Sequence, residues 1–267
     1  MTPDASWTFA PGVLLVLALA AGAYGKRWRA ARADRSHPPS PWRALAFTGG
    51  LLAVFGALIS PVDSLADHLL VMHMVQHLLL LDIAPILLIL GLTKVLLRPV
   101  TRRVQTVERR AGFFAHPAFA VIAYVGVMWL WHIPAMYDLA LRHTNIHAVE
   151  HLCFAVAGTL YWWHLLSPIR NRHRLGGMGP VAYMVSTKLL VGGLGIVLAF
   201  APASFYPYYE HHPHYWGLSP SVDQSMAGLV MALEQSIVMG IALVWVFVKM
   251  LNEAERQAQR EERYEVV

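Results

Sequence analysis

Histidine is used unusually in this sequence. There are fourteen, and several fall inside long apolar runs, where an ionisable side chain is costly and points to function. The run DHLLVMHMVQHLLLLDIAP holds His73 and His77 four residues apart, and IHAVEHLCF holds His147 and His151 at the same spacing. At about 100° per residue, an i, i+4 pair stands on one face of a helix, about one turn apart. Neutral imidazoles so placed can bind copper, zinc, iron or nickel, or relay protons. The expectation is a metal site built from His73, His77, His147 and His151, with no catalytic residue required. His68, His132 and Glu150 are expected around it as orienting or transient ligands, and Asp223 and Gln224 as hydrogen-bonding partners. Thioethers favour Cu(I), so Met72, Met74, Met136 and Met226 in the same layer tilt the choice to copper, with zinc and iron behind it. Most of these methionines are also ordinary core filler.

The remaining histidines have plainer readings. His116, His164 and His173 are expected as hydrogen-bonded or interfacial side chains. His211, His212 and His214 fall on a loop, where they are metal collectors or simply polar surface.

Helices must carry the two pairs, and the composition says in what solvent. Hydrophobic residues make up 57% of the 267 and charged residues 14%, against roughly 25% charged in a soluble domain. A membrane span needs about 20 mostly apolar residues. Seven runs qualify, at 7–24, 41–59, 68–92, 117–136, 146–166, 180–201 and 222–250. The expected fold is therefore an all-α membrane bundle of seven transmembrane helices over residues 1–251, followed by a charged tail at 252–267.

Basic residues orient it, because Lys and Arg in short loops stay on the cytoplasmic side. Nineteen of the 21 lie in four alternate segments, 26–43, 94–110, 170–174 and 249–263; Arg142 and Lys188 are the exceptions. That places the N-terminus outside and the C-terminus in the cytoplasm. The net charge of +5 then reflects topology beside anionic lipid, and nucleic acid is not an expected partner. The first run precedes its positive charges, the reverse of a signal peptide, and reads as a retained helix. A single cysteine, Cys153, excludes an internal disulfide or a multi-cysteine zinc site. The third and fifth spans run in one direction, so at about 1.5 Å of rise per residue all four paired histidines fall in the outer half of the bilayer, open to the external face. Tyr206, Tyr208, Tyr209 and Tyr215 on the last external segment read as interfacial anchors.

Other chemistries compete. His147, Glu150 and His151 spell H-x-x-E-H, the pattern of a zinc hydrolase, although the other pair carries Gln76, which cannot act as a base. A di-iron oxygenase would place its histidines on the cytosolic side. A b-type haem site would need His151 and His164 matched by a like pair elsewhere. A copper permease remains open, with Lys188, Glu234 and Gln235 as polar groups; Lys188 paired with Glu234 is the structural alternative.

The string HMVQHLLLLDIAPILLILG at 73–91 resembles the CtaG-type cytochrome c oxidase assembly factors. The likeness continues through WHIPAMYDLAL (131–141), IHAVEHLCF (146–154), YWWHLL (161–166) and DQSMAGLVM (223–231). One departure is Ile86, where the family often has a second proline after Ala84 and Pro85; it bears on the helix bend and leaves the histidines in place. The resemblance implies a multi-spanning bacterial plasma membrane protein that assists assembly of a copper-containing haem oxidase, plausibly in copper delivery. Oxidase subunits or other copper chaperones are the implied partners, with membrane lipid around the bundle.

Overall fold

The computed structural model describes residues 2–33, 38–169, 173, 175–211 and 213–265. His212 and the loop arginines Arg170, Arg172 and Arg174 lie outside the described residues. Those described form helices and turns, with no strand among them. In chain order the helices are α1 (Pro11–Ala33), α2 (Pro41–Leu58), α3 (Pro61–Ala66), α4 (Leu70–Leu78), α5 (Ala84–Gly91), α6 (Lys94–Leu97) and α7 (Thr101–Ala111). There follow α8 (Pro117–Trp131), α9 (Pro134–Arg142), α10 (Thr144–Leu166), α11 (Gly179–Phe200), α12 (Pro207–Glu210) and α13 (Pro220–Glu265).

Local sequence sets the starts. Proline opens α2, α3, α8 and α9, where its missing N–H leaves no helical bond unmade. Side chains of Ser60, Thr93 and His116 accept the first free N–H groups of α3, α6 and α8, as N-caps do. α4 and α5 are joined by a π-helical turn at Leu79–Ile83. Pro85 has no N–H to offer the carbonyl of Leu81 four residues back, and the widened turn falls at that point. Gly158 of α10 sits directly against that carbonyl, where any Cβ would collide.

Contacts fix the directions of the long helices. Arg43 at the start of α2 donates to the carbonyls of Leu90 and Leu92 at the end of α5, and Tyr24 of α1 donates to Gly91. At the other end, Thr8 before α1 reaches Asp63 after α2. Asp223 at the start of α13 caps the start of α4. His132, closing α8, meets Met74 near the same end.

Four helices, Pro41–Leu58, Leu70–Gly91, Gly179–Phe200 and Pro220–Arg256, are long and apolar enough to cross a membrane. A fifth joins them if Thr101–Ala115 and Pro117–Trp131, bent by 64°, form one span. The chain is thus a helical membrane protein, with fewer such helices than the seven expected. The physical reasons are visible in the sequence: α8 has only 15 residues, α10 is diluted by Glu150 and three histidines, and the last third of α1 is basic. α13 runs unbroken past residue 251 to Glu265, so no break in the helix separates bundle from charged tail.

Candidate metal centre

His73 and His77 project from α4 and His147 and His151 from α10, and the two pairs meet. The His73 ring lies 4.2 Å from His77, 5.1 Å from His147 and 6.5 Å from His151 between centroids. His77 is 5.8 Å from His151, and His147 is 4.1 Å from His151. The i, i+4 spacing stacks each pair, and α4 and α10, both beginning at the same end of the bundle, bring the stacks into register. Glu150 points between them. Its carboxylate oxygens stand 3.8 Å from Nε2 of His73 and 3.5 Å from Nε2 of His77, longer than a normal hydrogen bond. Single ligand atoms of His73, His147 and Glu150 all lie within 4.8 Å of one another.

Water is excluded from the α4 side of this layer, whereas His147 and His151 on α10 are partly exposed. His73 and Glu150 are 0% exposed and His77 is 1%. Both ring nitrogens of His77, Nε2 of His73, His147 and His151, and both oxygens of Glu150 have no protein hydrogen-bond partner. Buried polar atoms are paired in the great majority of cases, because an orphan forfeits about 1–3 kcal/mol of solvation. Orphaned imidazole nitrogens beside a carboxylate are groups that could hold a transition metal.

The other expected residues divide. His132 is buried, its Nε2 3.2 Å from the Met74 sulfur and its ring 6.4 Å from His77, so it and Met74 adjoin the cluster. Met72 packs at the edge of the core. His68 turns to Tyr215, 5.0 Å away between rings. Asp223 and Gln224 do hydrogen-bond, but to backbone: Asp223 accepts from Leu70 and Val71 N–H at 2.7 and 3.0 Å. Gln224 accepts from Phe205 N–H and donates towards Leu198 and Ala203 carbonyls. They hold the frame of the site. His211 bonds the Pro207 carbonyl on the surface. Cys153 is free and partly buried against the core.

Two expectations are corrected. The loop tyrosines are not all interfacial anchors, and Lys188 does not pair with Glu234. Tyr206 and Tyr209 are buried with Tyr137 in a cap over the histidines. Tyr137 lies 4.8 Å from the His73 ring and 4.3 Å from Tyr206. Tyr206 donates to the His132 carbonyl, Tyr209 to that of Ala66, and the Tyr137 and Tyr209 hydroxyls are 3.1 Å apart. No ion pair joins Lys188 to Glu234 among the described residues; the Glu234 carboxylate accepts from Gln235 at 3.1 Å instead.

Asp82 is the residue that sequence reasoning passed over. It stands on the π-helical turn, fully buried, and accepts from Tyr124 at 2.7 Å, Trp162 at 2.6 Å and Gln235 at 3.2 Å. One face of α10 joins the two polar centres: Glu150 enters the histidine cluster, Phe154 packs 4.1 Å from the His77 ring, Gly158 seats the π turn, and Trp162 reaches Asp82. The available signal was a lone acid within a run otherwise free of charge from 70 to 91, which is itself a mark of function or structure. His164 lies apart from both centres, 6.3 Å from Tyr183.

The family model of the cytochrome c oxidase caa3 assembly factor (Caa3_CtaG) matches residues 22–253. No curated protein and no solved structure matches the chain. The match takes in every helix from the second half of α1 to most of α13, including both histidine pairs and Asp82, and the chain belongs to the family of cytochrome c oxidase caa3 assembly factors.

Proposed function

We propose that the histidine cluster binds one copper ion, as Cu(I), and that the protein hands it to a subunit of the oxidase whose assembly it serves. The observation that carries this reading is the convergence of four imidazoles and one carboxylate, largely unpartnered, with His73, His77 and Glu150 fully buried. Charge supports the monovalent ion: Glu150 supplies one negative charge when deprotonated, and a buried site is most stable when its charges cancel. Met74 beside His132 adds a soft sulfur to the surroundings, which favours Cu(I) over zinc or iron. Both Glu150 oxygens face the histidines of α4 rather than a separate water position, which favours a carrier over a hydrolase and calls for no catalysis.

In this reading all seven apolar runs cross the bacterial plasma membrane. The N-terminus is outside, the tail after residue 251 is cytoplasmic, and the copper lies in the outer half of the bilayer. The partner is an oxidase subunit or a chaperone that supplies the copper. The test is a His73→Ala, His147→Ala double variant, with purified copper content measured beside oxidase activity in cells. Loss of both supports delivery. Loss of oxidase activity with copper unchanged would replace the carrier by a scaffold.

A further inference from the structure

Resting on the copper reading, a second question is how the ion reaches its client when tyrosines cover the α4 histidines. A groove of about 690 Å³ runs along the bundle between α1, α2, α5 and α10, and His147 and His151 form part of its wall. Apart from these and the polar residues near them, Val13, Leu17, Leu58, Leu88, Leu152 and Ala155 line it. Its rim is open to the surroundings: Val16 on α1 is 65% exposed and Leu152 on α10 is 62%. Asp63, Asp67 and Thr144 line the groove where α10 begins, and past His151 its open rim is apolar, the part that faces the membrane.

We propose that copper leaves sideways through this groove, to an apolar membrane helix of the client protein seated in it, with a thiol, thioether or imidazole beside His147 and His151. The α10 wall favours a helix over a lipid chain. Thr144, Ala148, Ala155 and Thr159 line it, and small residues at such spacings let a second backbone approach closely. They span 16 residues, about 22 Å of helix, roughly four turns. The opposite wall has Gly12, where an added Cβ would meet nothing within 4 Å. The step is a ligand exchange: each bond from metal to client donor replaces one to an imidazole, with no change of oxidation state.

The protein loaded with Cu(I) in phosphatidylcholine vesicles provides the test. Copper content is measured first, so a wild-type protein without copper removes the copper reading before the groove is tested. Copper is then stripped with neocuproine, which enters lipid, or with bathocuproine disulfonate, which does not. Neocuproine should strip wild type about tenfold faster or more. Gly12→Phe and Ala155→Phe, which fill the groove from opposite walls, should each slow neocuproine about tenfold without lowering copper content, and should reduce oxidase activity in cells. Tyr209→Ala, which opens the cap, should speed the sulfonated chelator. Equal rates for the two chelators on wild type, or filled variants stripped as fast as wild type, would overturn the lateral route. Filled variants with slowed stripping and full oxidase activity would assign the groove to lipid and overturn the client helix. Each wall's variant stands as a check should the other fail to fold.

Discussion

The imidazole of His147 stacks on that of His73, ring centroids 5.1 Å apart and planes 12° from parallel, across the contact of α10 with α4. This contact turns two local repeats into one centre. Each pair alone is a feature of one helix; stacked, they surround Glu150 and leave their nitrogens without other partners. The consequences can be measured one residue at a time.

Glu150→Gln keeps the shape of the side chain and removes its charge. For a carrier the copper stoichiometry should persist while affinity falls about 10- to 100-fold, the usual cost of losing a group that orients metal ligands. Competition against a Cu(I) chelator of known affinity measures it. A hydrolase would instead keep its metal and lose all turnover.

Asp223 caps α4 from another helix, accepting from both Leu70 and Val71 N–H. Asp223→Ala should lower stability by about 1–2 kcal/mol, as for a lost N-cap, and Asp223→Asn by less. Thermal unfolding in detergent checks the order. Copper stoichiometry should hold in Asp223→Asn, because the residue makes no bond to the imidazoles.

Gly158→Ala drives a methyl group into the Leu81 carbonyl. Overpacking of this kind costs about 1–3 kcal/mol, and here it should also displace the π turn that holds Asp82. The variant is expected to melt several degrees lower, with tryptophan fluorescence altered through Trp162. Ala157→Ser, one position along the same helix, serves as the control for a change not aimed at the turn.

Asp82 accepts from three buried donors, so its loss is a loss of acceptors. Asp82→Leu strands the Tyr124 and Trp162 donors, at about 1–3 kcal/mol for each orphaned group, while Gln235 keeps Tyr124 and Glu234. The substitution should sharply lower accumulation of the protein in membranes. Asp82→Asn keeps one acceptor oxygen and should accumulate at an intermediate level. Equal accumulation of both variants with wild type would remove the structural role assigned to this node.

How much of this could be read in the chain depends on distance along it. The histidine pairs were legible because i, i+4 spacing is local, and their meeting followed from two helices starting at the same end. Helix starts were legible at Pro41 and Pro117 for the same reason. The tyrosine cap was not, since Tyr209 reaches the Ala66 carbonyl across 143 positions, and an aromatic on a loop gives no sign of its burial. Lys188 and Glu234 were matched by opposite sign within neighbouring helices, whereas Glu234 accepts from Gln235, which also donates to the distant Asp82. The consequence of Pro85 was equally hidden: the proline is visible, but that α10 needs Gly158 to approach the altered turn emerges only from the assembled bundle.

The most direct test of the shared centre is X-ray absorption at the copper edge on the Cu(I)-loaded protein, compared with His73→Ala and His147→Ala single variants. The account predicts a nitrogen-rich imidazole shell in wild type, and weaker or lost imidazole scattering when a histidine is removed from either helix. An identical copper spectrum and stoichiometry in both variants would contradict it, because the metal would then be held somewhere other than between α4 and α10.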